Sequence, residues 1–167
     1  MTGSGPLFDE LHSLFDVDYP PTPLHLLLAT LPALLREKGY PSRYQLIVTT
    51  NYDDLMERAF RVAGEPFDPV AYVAEGDREQ RGKFVHWPPD GEARLIEKPN
   101  EYRGLSLDQR PVILKIHGAV DRADAGRDSY VITEDHYIDY LTRTDISKLV
   151  PVTLAAKLKK SHFLFLG

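Results

Sequence analysis

LIVTTNYDDLMERAF (residues 46–60) opens as an apolar, β-branched run, passes through Thr49, Thr50, Asn51 and two carboxylates, and continues at helical spacing. The run has no clean polar alternation, so it reads as a strand covered on both faces, as strands of parallel sheets are. The residues after it carry a helix start. Asp53 or Asp54 can cap it, Glu57 stands at capping-box spacing from Asp54, and Gly64 can end it. A buried strand running directly into a helix is a building unit of α/β folds. In open α/β sheets ligands bind beyond the carboxyl ends of the strands, which is where Thr49, Thr50, Asn51, Tyr52 and Asp53 fall.

The same texture recurs downstream. DPVAYVA (68–74) reads as a short strand, and RPVILKIHG (110–118) as a buried strand that stops at His117 and Gly118. SYVITEDHYIDYL (129–141) reads as a strand and then a helix capped by Thr133, PVTLAAKLKK (151–160) as a helix from Pro151, and HFLFLG (162–167) as a final apolar strand. Upstream, Leu7, Phe8, Leu11, Leu14 and Phe15 form a helical stripe behind Pro6. Thr22 can cap a second helix that opens at Pro23, and its leucine-rich run makes it a core helix, kinked at Pro32. Residues 75–110 are dense in charge, Gly and Pro, with one strand at KFVHW, and read as a loop-rich insertion.

Alternating strands and helices predict a single α/β domain over residues 1–167, a three-layer Rossmann-like arrangement with a mostly parallel sheet. Two features look incomplete. The terminal apolar strand belongs in a sheet interior with chain beyond it, and the opening helices have no strand before them. The expectation is a segment of a longer polypeptide, with additional domains as partners and room for a homo-oligomer.

The chain of 167 residues is 43% hydrophobic and 27% charged, the balance of an ordinary soluble domain. Its formal charge of -5 gives no general attraction for nucleic acid or an anionic membrane. The absence of Cys removes disulfides, thiolate nucleophiles and Cys-ligated zinc, and together with the lack of a secretory signal it points to the cytoplasm.

At the strand ends, Asn51 offers a donor and an acceptor, Asp53 an acceptor and His117 a base that titrates near neutrality, while Gly118 lets backbone approach a ligand closely. Taken alone, Asn-x-Asp at a strand-to-helix junction is commonly a cap, and a lone His at a strand end is commonly just hydrogen-bonded. Their joint placement at one edge of one sheet favours a site. His136, near Glu134, Asp135 and Asp139, shows no third metal ligand at a defined spacing and reads as part of a solvated helix face. His86-Trp87 beside two prolines reads as a small loop core, and His12, His25 and His162 as packed or surface residues.

TTNYD resembles the Thr-Gln-Asn-Ile-Asp signature of sirtuins, KIHG their His-Gly motif, and FLFLG the later strand whose glycine leads into the adenosine-side loop. As an ordered set, VTTNYDDLMERAF, VILKIHGAVDR, SYVITEDHYIDYL and SHFLFLG resemble prokaryotic sirtuin-like domains of large multidomain proteins, many of them antiviral NAD-consuming effectors. The resemblance implies that NAD is the substrate and that Asn51 holds the nicotinamide ribose or an attacking water. It further implies that Asp53 contacts the nicotinamide carboxamide and that His117 is the base acting on a ribose hydroxyl. Thr49, Thr50, Gly118 and Gly167 then contribute to cofactor binding.

The zinc ribbon of sirtuin deacylases is replaced here by AVDRADAGRD (119–128), so no zinc is expected. The phosphate-gripping Gly-Ala-Gly-x-Ser loop is also missing from MTGSGP. The favoured activity is therefore hydrolysis of NAD to nicotinamide and ADP-ribose in a bacterial antiviral or stress response. The alternatives are an NAD-dependent protein deacylase and a non-catalytic module that senses NAD or ADP-ribose or serves assembly.

Overall fold

The computed structural model describes residues 5–41, 44–76, 78–89, 91–134, 136, 138 and 149–166. Two helices lead, α1 (Pro6–Phe15) and α2 (Pro23–Glu37), succeeded by β1 (Leu46–Thr49), α3 (Leu55–Ala63) and β2 (Asp68–Tyr72). Then come β3 (Phe84–His86), β4 (Arg94–Ile96), β5 (Val112–Lys115), β6 (Gly118–Ala119), β7 (Ser129–Tyr130) and α4 (Val152–Lys160).

The main sheet has the order β1-β5-β2-β3-β4. β5 runs parallel to both β1 and β2, with Thr49 opposite Lys115 and Ala71 also opposite Lys115. β3 and β4 add on antiparallel. The unbroken apolar pattern of β5 has its reason in this central place. Val112 and Leu114 pack on one side with Val70, Tyr72, Val150 and Leu154, while Ile113 packs on the other with Ala29, Phe60 and Phe67. α4 therefore covers one face and α2 and α3 the other, and the fold is a three-layer α/β sandwich with a mixed sheet whose strands β1, β5 and β2 run parallel, consistent with a Rossmann-like fold.

Residues 75–110 supply β3 and β4, and with them Phe84, Ile96 and Leu105 to the core beneath α4. KFVHW was legible as a strand, whereas RLI (94–96) has too few residues to show a period. The segment is pinned at the far end of the sheet by a buried polar network. His86 Nε2 lies 2.9 Å from Asp68 Oδ1, His86 Nδ1 lies 2.6 Å from the Tyr102 hydroxyl, and Arg110 Nε donates to Asp68 Oδ2 at 2.9 Å.

Three expectations are corrected. α2 is not a core helix: Ala29 and Pro32 are its buried residues, while Leu24, Leu26, Leu27 and Leu34 are exposed, because the helix leans on α3 through a narrow stripe centred on Ala29. The helix runs through Pro32 to Glu37. Its cap is a reciprocal one, in which the Thr22 N–H donates to His25 Nδ1 at 3.1 Å.

The final apolar run is not a strand either. Residues 162–166 pair with no strand among the described residues, and Leu164 and Phe165 are 80% and 89% exposed. A strand exists only as part of a ladder, and this segment docks at neither sheet edge. Lastly, the strand after residue 128 is limited to Ser129–Tyr130 and pairs antiparallel with β6 in a separate two-stranded sheet. The hydroxyl of Thr133 accepts the N–H of His136 at 3.2 Å, as a cap does.

Candidate functional site

Two parallel neighbours, β1 and β5, end together. Beyond the paired Thr49 and Lys115, the Ile116 N–H donates to the Thr49 carbonyl at 3.0 Å, which closes the β1–β5 ladder. Asn51 and His117 each lie two residues past these partners, so both stand at the same carboxyl edge of adjacent strands. Thr50 and Asn51 are exposed, Thr49 and His117 half-buried, and the Thr49 hydroxyl accepts the Asn51 N–H at 3.0 Å. Gly167 lies outside the described residues.

Tyr52 turns away from this edge. Its ring meets Tyr130 edge-on at a centroid distance of 5.2 Å and lies 5.3 Å from Phe15, in a small core with Phe8 and Val120 beneath α1. Its hydroxyl donates to the Val131 carbonyl at 2.8 Å, and the Val131 N–H donates to the His117 carbonyl at 2.9 Å. The Val120 N–H in turn reaches the Tyr52 carbonyl at 3.0 Å. Tyr52 thus joins the Asn51 turn to the His117 turn through side chain and backbone at once.

Asp53 Oδ1 accepts the Leu55 N–H at 3.0 Å, fixing the entry to α3. The same residue lines a cleft of about 180 Å³ with Phe15, Val17, Tyr19, Leu55 and Arg122 among its walls. Arg122 closes one side: its guanidinium lies 2.9 Å from Asp54 Oδ1 and donates to the carbonyls of Asp16 and Val17 at 2.7 and 3.1 Å. Capping and ligand contact are compatible for Asp53, since a carboxylate has more than one acceptor site.

Gly118 has φ +99, and a Cβ there would fall 1.9 Å from the Ser129 carbonyl oxygen. The close approach that selects glycine is therefore to the chain's own β7. Burial lowers the pKa of His117 below its ordinary 6.5, so at neutral pH the imidazole is uncharged and able to accept a proton.

Glu57 does not complete a capping box. It is buried, and its Oε1 accepts from Lys115 Nζ at 3.1 Å. Lys115 is buried as well, and its ammonium also donates to the Tyr52 carbonyl at 3.2 Å and to the Asp53 carbonyl. Sequence alone assigned no role at the site to Lys115, Glu57, Tyr52 or Arg122. A signal was present for one of them: a lysine inside VILKIHG, a strand read as covered on both faces, needs a buried partner.

His136 and His12 hold buried structural contacts. His136 is buried rather than on a solvated face, with Nε2 2.7 Å from Glu75 Oε1. His12 Nδ1 lies 2.7 Å from Asp128 Oδ2, and Asp128 also accepts from the Tyr130 hydroxyl at 2.6 Å. Burial raises the Tyr130 pKa, which keeps that phenol a donor. Among the described residues no group of three or more His, Cys, Asp or Glu could hold a metal ion, and no helix is long and apolar enough to cross a membrane.

A family profile described as SIR2-like domain covers residues 45–167, from the residue before β1 to the end of the chain. No curated protein and no solved structure matches. The profile spans well over half of the sequence and contains both strand ends described above, so the chain belongs to the SIR2-like domain family.

Proposed function

We propose that this domain binds NAD at the carboxyl edge of β1 and β5 and hydrolyses its nicotinamide–ribose bond. The observation that carries the proposal is the parallel pairing of β1 with β5, with Thr49 opposite Lys115, which delivers Asn51 and His117 to one edge from neighbouring strands. Family membership supports the substrate, since SIR2-like domains are related to NAD-using enzymes.

Cleavage breaks the bond between the anomeric carbon and the pyridinium nitrogen. Nicotinamide leaves as a neutral molecule with the bonding electrons, and the ribose acquires oxocarbenium character. Water adds at that carbon and its proton passes to a base. Asn51, with one donor and one acceptor group, orients the ribose or the water, and neutral His117 takes a proton at the ribose edge. Asp53 borders the cleft with Phe15 and Tyr19, a setting in which an aromatic amide can stack while its N–H groups meet a carboxylate. The likeness to effector domains of antiviral systems supports NAD depletion in such a response as the biological setting.

The test is nicotinamide release from NAD by the full-length protein, monitored by chromatography. Asn51→Ala and His117→Ala are each expected to lower turnover by at least about a hundredfold, the scale of a positioned acid–base or electrostatic group. Wild-type turnover in either variant would refute the assignment. Release that depends on an added acyl-peptide would instead identify a deacylase.

A further inference from the structure

We propose that Lys115 and Glu57 are the positioning pair of this site, holding the Asn51–Asp53 turn in fixed register with His117. The inference rests on the NAD-cleaving reading of the site.

The ladder between β1 and β5 stops at the Thr49 carbonyl, and the side chains of Asn51 and His117 both lie past it. Past that point Tyr52 links the two turns through β6 and β7, and the Lys115 ammonium is the direct tie from β5 itself. Lys115 leaves β5 two residues before His117 and crosses to the segment after β1, where its ammonium donates to the Tyr52 and Asp53 carbonyls and to Glu57 Oε1. Three N–H donors meet three acceptors, and two of those acceptors are backbone atoms of the residues directly after Asn51.

An apolar residue would fill the interior with no desolvation cost. Lys115 is only 2% exposed and Glu57 only 6%, so the ion pair has replaced packing at a place where packing was available. A buried pair of this kind is weak evidence for stability, and geometric specification is a better account of it. Glu57 is itself fixed in the first turn of α3, where the helix dipole favours its charge, and its Oε2 is buried without a hydrogen-bond partner among the described residues. Lys115 is thus the compensating charge for this carboxylate, and the two side chains tie β5, the turn and α3 together. Displacements near 1 Å in reacting groups are enough to lower rates strongly, which makes such a tie consequential for turnover.

The test uses the full chain with both charges removed, Glu57→Gln/Lys115→Met, so that neither partner is left buried alone. Nicotinamide release is expected to show kcat reduced by roughly thirtyfold or more with KM for NAD within about threefold of wild type. Native-state hydrogen exchange provides a readout free of activity. The Val120 amide, which donates to the Tyr52 carbonyl, is expected to exchange at least about tenfold faster, while the Val73 amide, bonded to the Lys83 carbonyl at the other side of the sheet, keeps its protection.

An unchanged kcat, or an unchanged Val120 exchange rate, overturns the proposal. Equal acceleration at Val120 and Val73 also overturns it, because the pair would then be serving general stability. Should that double variant not fold, Glu57→Gln/Lys115→Leu is read against the same outcomes. If the wild-type protein releases no nicotinamide, the functional reading fails, yet Val120 exchange still decides whether the pair holds the turn.

Discussion

The α-carbon of Gly118 sits so close to Ser129 that an added methyl group would lie 1.9 Å from the Ser129 carbonyl oxygen. That oxygen belongs to β7, and its backbone cannot retreat without breaking the β6–β7 pairing. Gly118→Ala should therefore cost more than the about 1–3 kcal/mol of a strained backbone conformation alone. Gly64 is the matched control: its φ is also positive, at +68, but nothing lies within 4 Å of an added Cβ. Gly64→Ala should cost only about 1–2 kcal/mol, the left-handed penalty by itself. Urea denaturation of the two variants checks the difference, and equal losses would remove the steric account.

His117 should impose an acid limit on both activity and stability. Its pKa is lowered below 6.5 by burial, so the unfolded chain binds the proton more readily than the folded one. The stability contributed by the neutral imidazole is present above pH 6.5 and is lost as pH falls through the lowered folded value. The acid limb of kcat/KM in the free enzyme should accordingly have its midpoint below 6.5. A pH–rate profile measures this, and a limb centred above that value would mean that another group is the base.

At the opposite end of the sheet, the His86 network should matter for folding and not for turnover. Asp68 begins β2 and so lies at the amino end of the parallel strands, away from Asn51 and His117. The carboxylate accepts from Nε2–H of His86, and Nδ1 of His86 shares a hydrogen bond with the Tyr102 hydroxyl, which burial keeps protonated. Asp68→Ala strands both His86 and Arg110 and should cost about 3–5 kcal/mol. Tyr102→Phe should cost about 1 kcal/mol and leave nicotinamide release intact. Thermal melts beside the nicotinamide assay check both variants.

The exposed tail and the buried helix before it give a direct contrast. Leu154 in α4 is fully buried among Val112, Leu114 and Val150, so Leu154→Ala should lose about 2–5 kcal/mol. Leu164→Ala removes the same atoms from a side chain that is 80% exposed and should shift stability by less than about 0.5 kcal/mol. A large loss at Leu164 would show the tail packed in solution.

Much of the architecture was legible because its signals are local. The β-branched run at 46–49, the glycine ending α3 and the apolar VIL of β5 declare themselves within a few residues. Asn51 and His117 were legible as strand ends, and the parallel pairing of β1 with β5 set them on one edge. What was hidden depends on partners distant in sequence. Glu57 has capping-box spacing, yet Lys115 draws it inward, and no local pattern carries that choice. The exposure of α2 depends on which face α3 offers it, and the tail at 162–166 has strand composition without a ladder. β6 and β7 are two residues long each and arise from the conformation of Gly118 rather than from any hydrophobic period.

The place of β5 between β1 and β2 has a consequence for biosynthesis. Both flanking strands emerge from the ribosome earlier, with α3, β3 and β4 also made before the central strand exists. Until β5 slides into the gap, β1 has no neighbour in the sheet among the described residues, and the edges of β1 and β2 that face the gap stay unfilled. Contacts this distant in sequence form slowly and leave partly assembled chains prone to aggregation. The same insertion carries His117 up to Asn51, so the two strand ends meet only after β1, α3, β2, β3 and β4 have all been made.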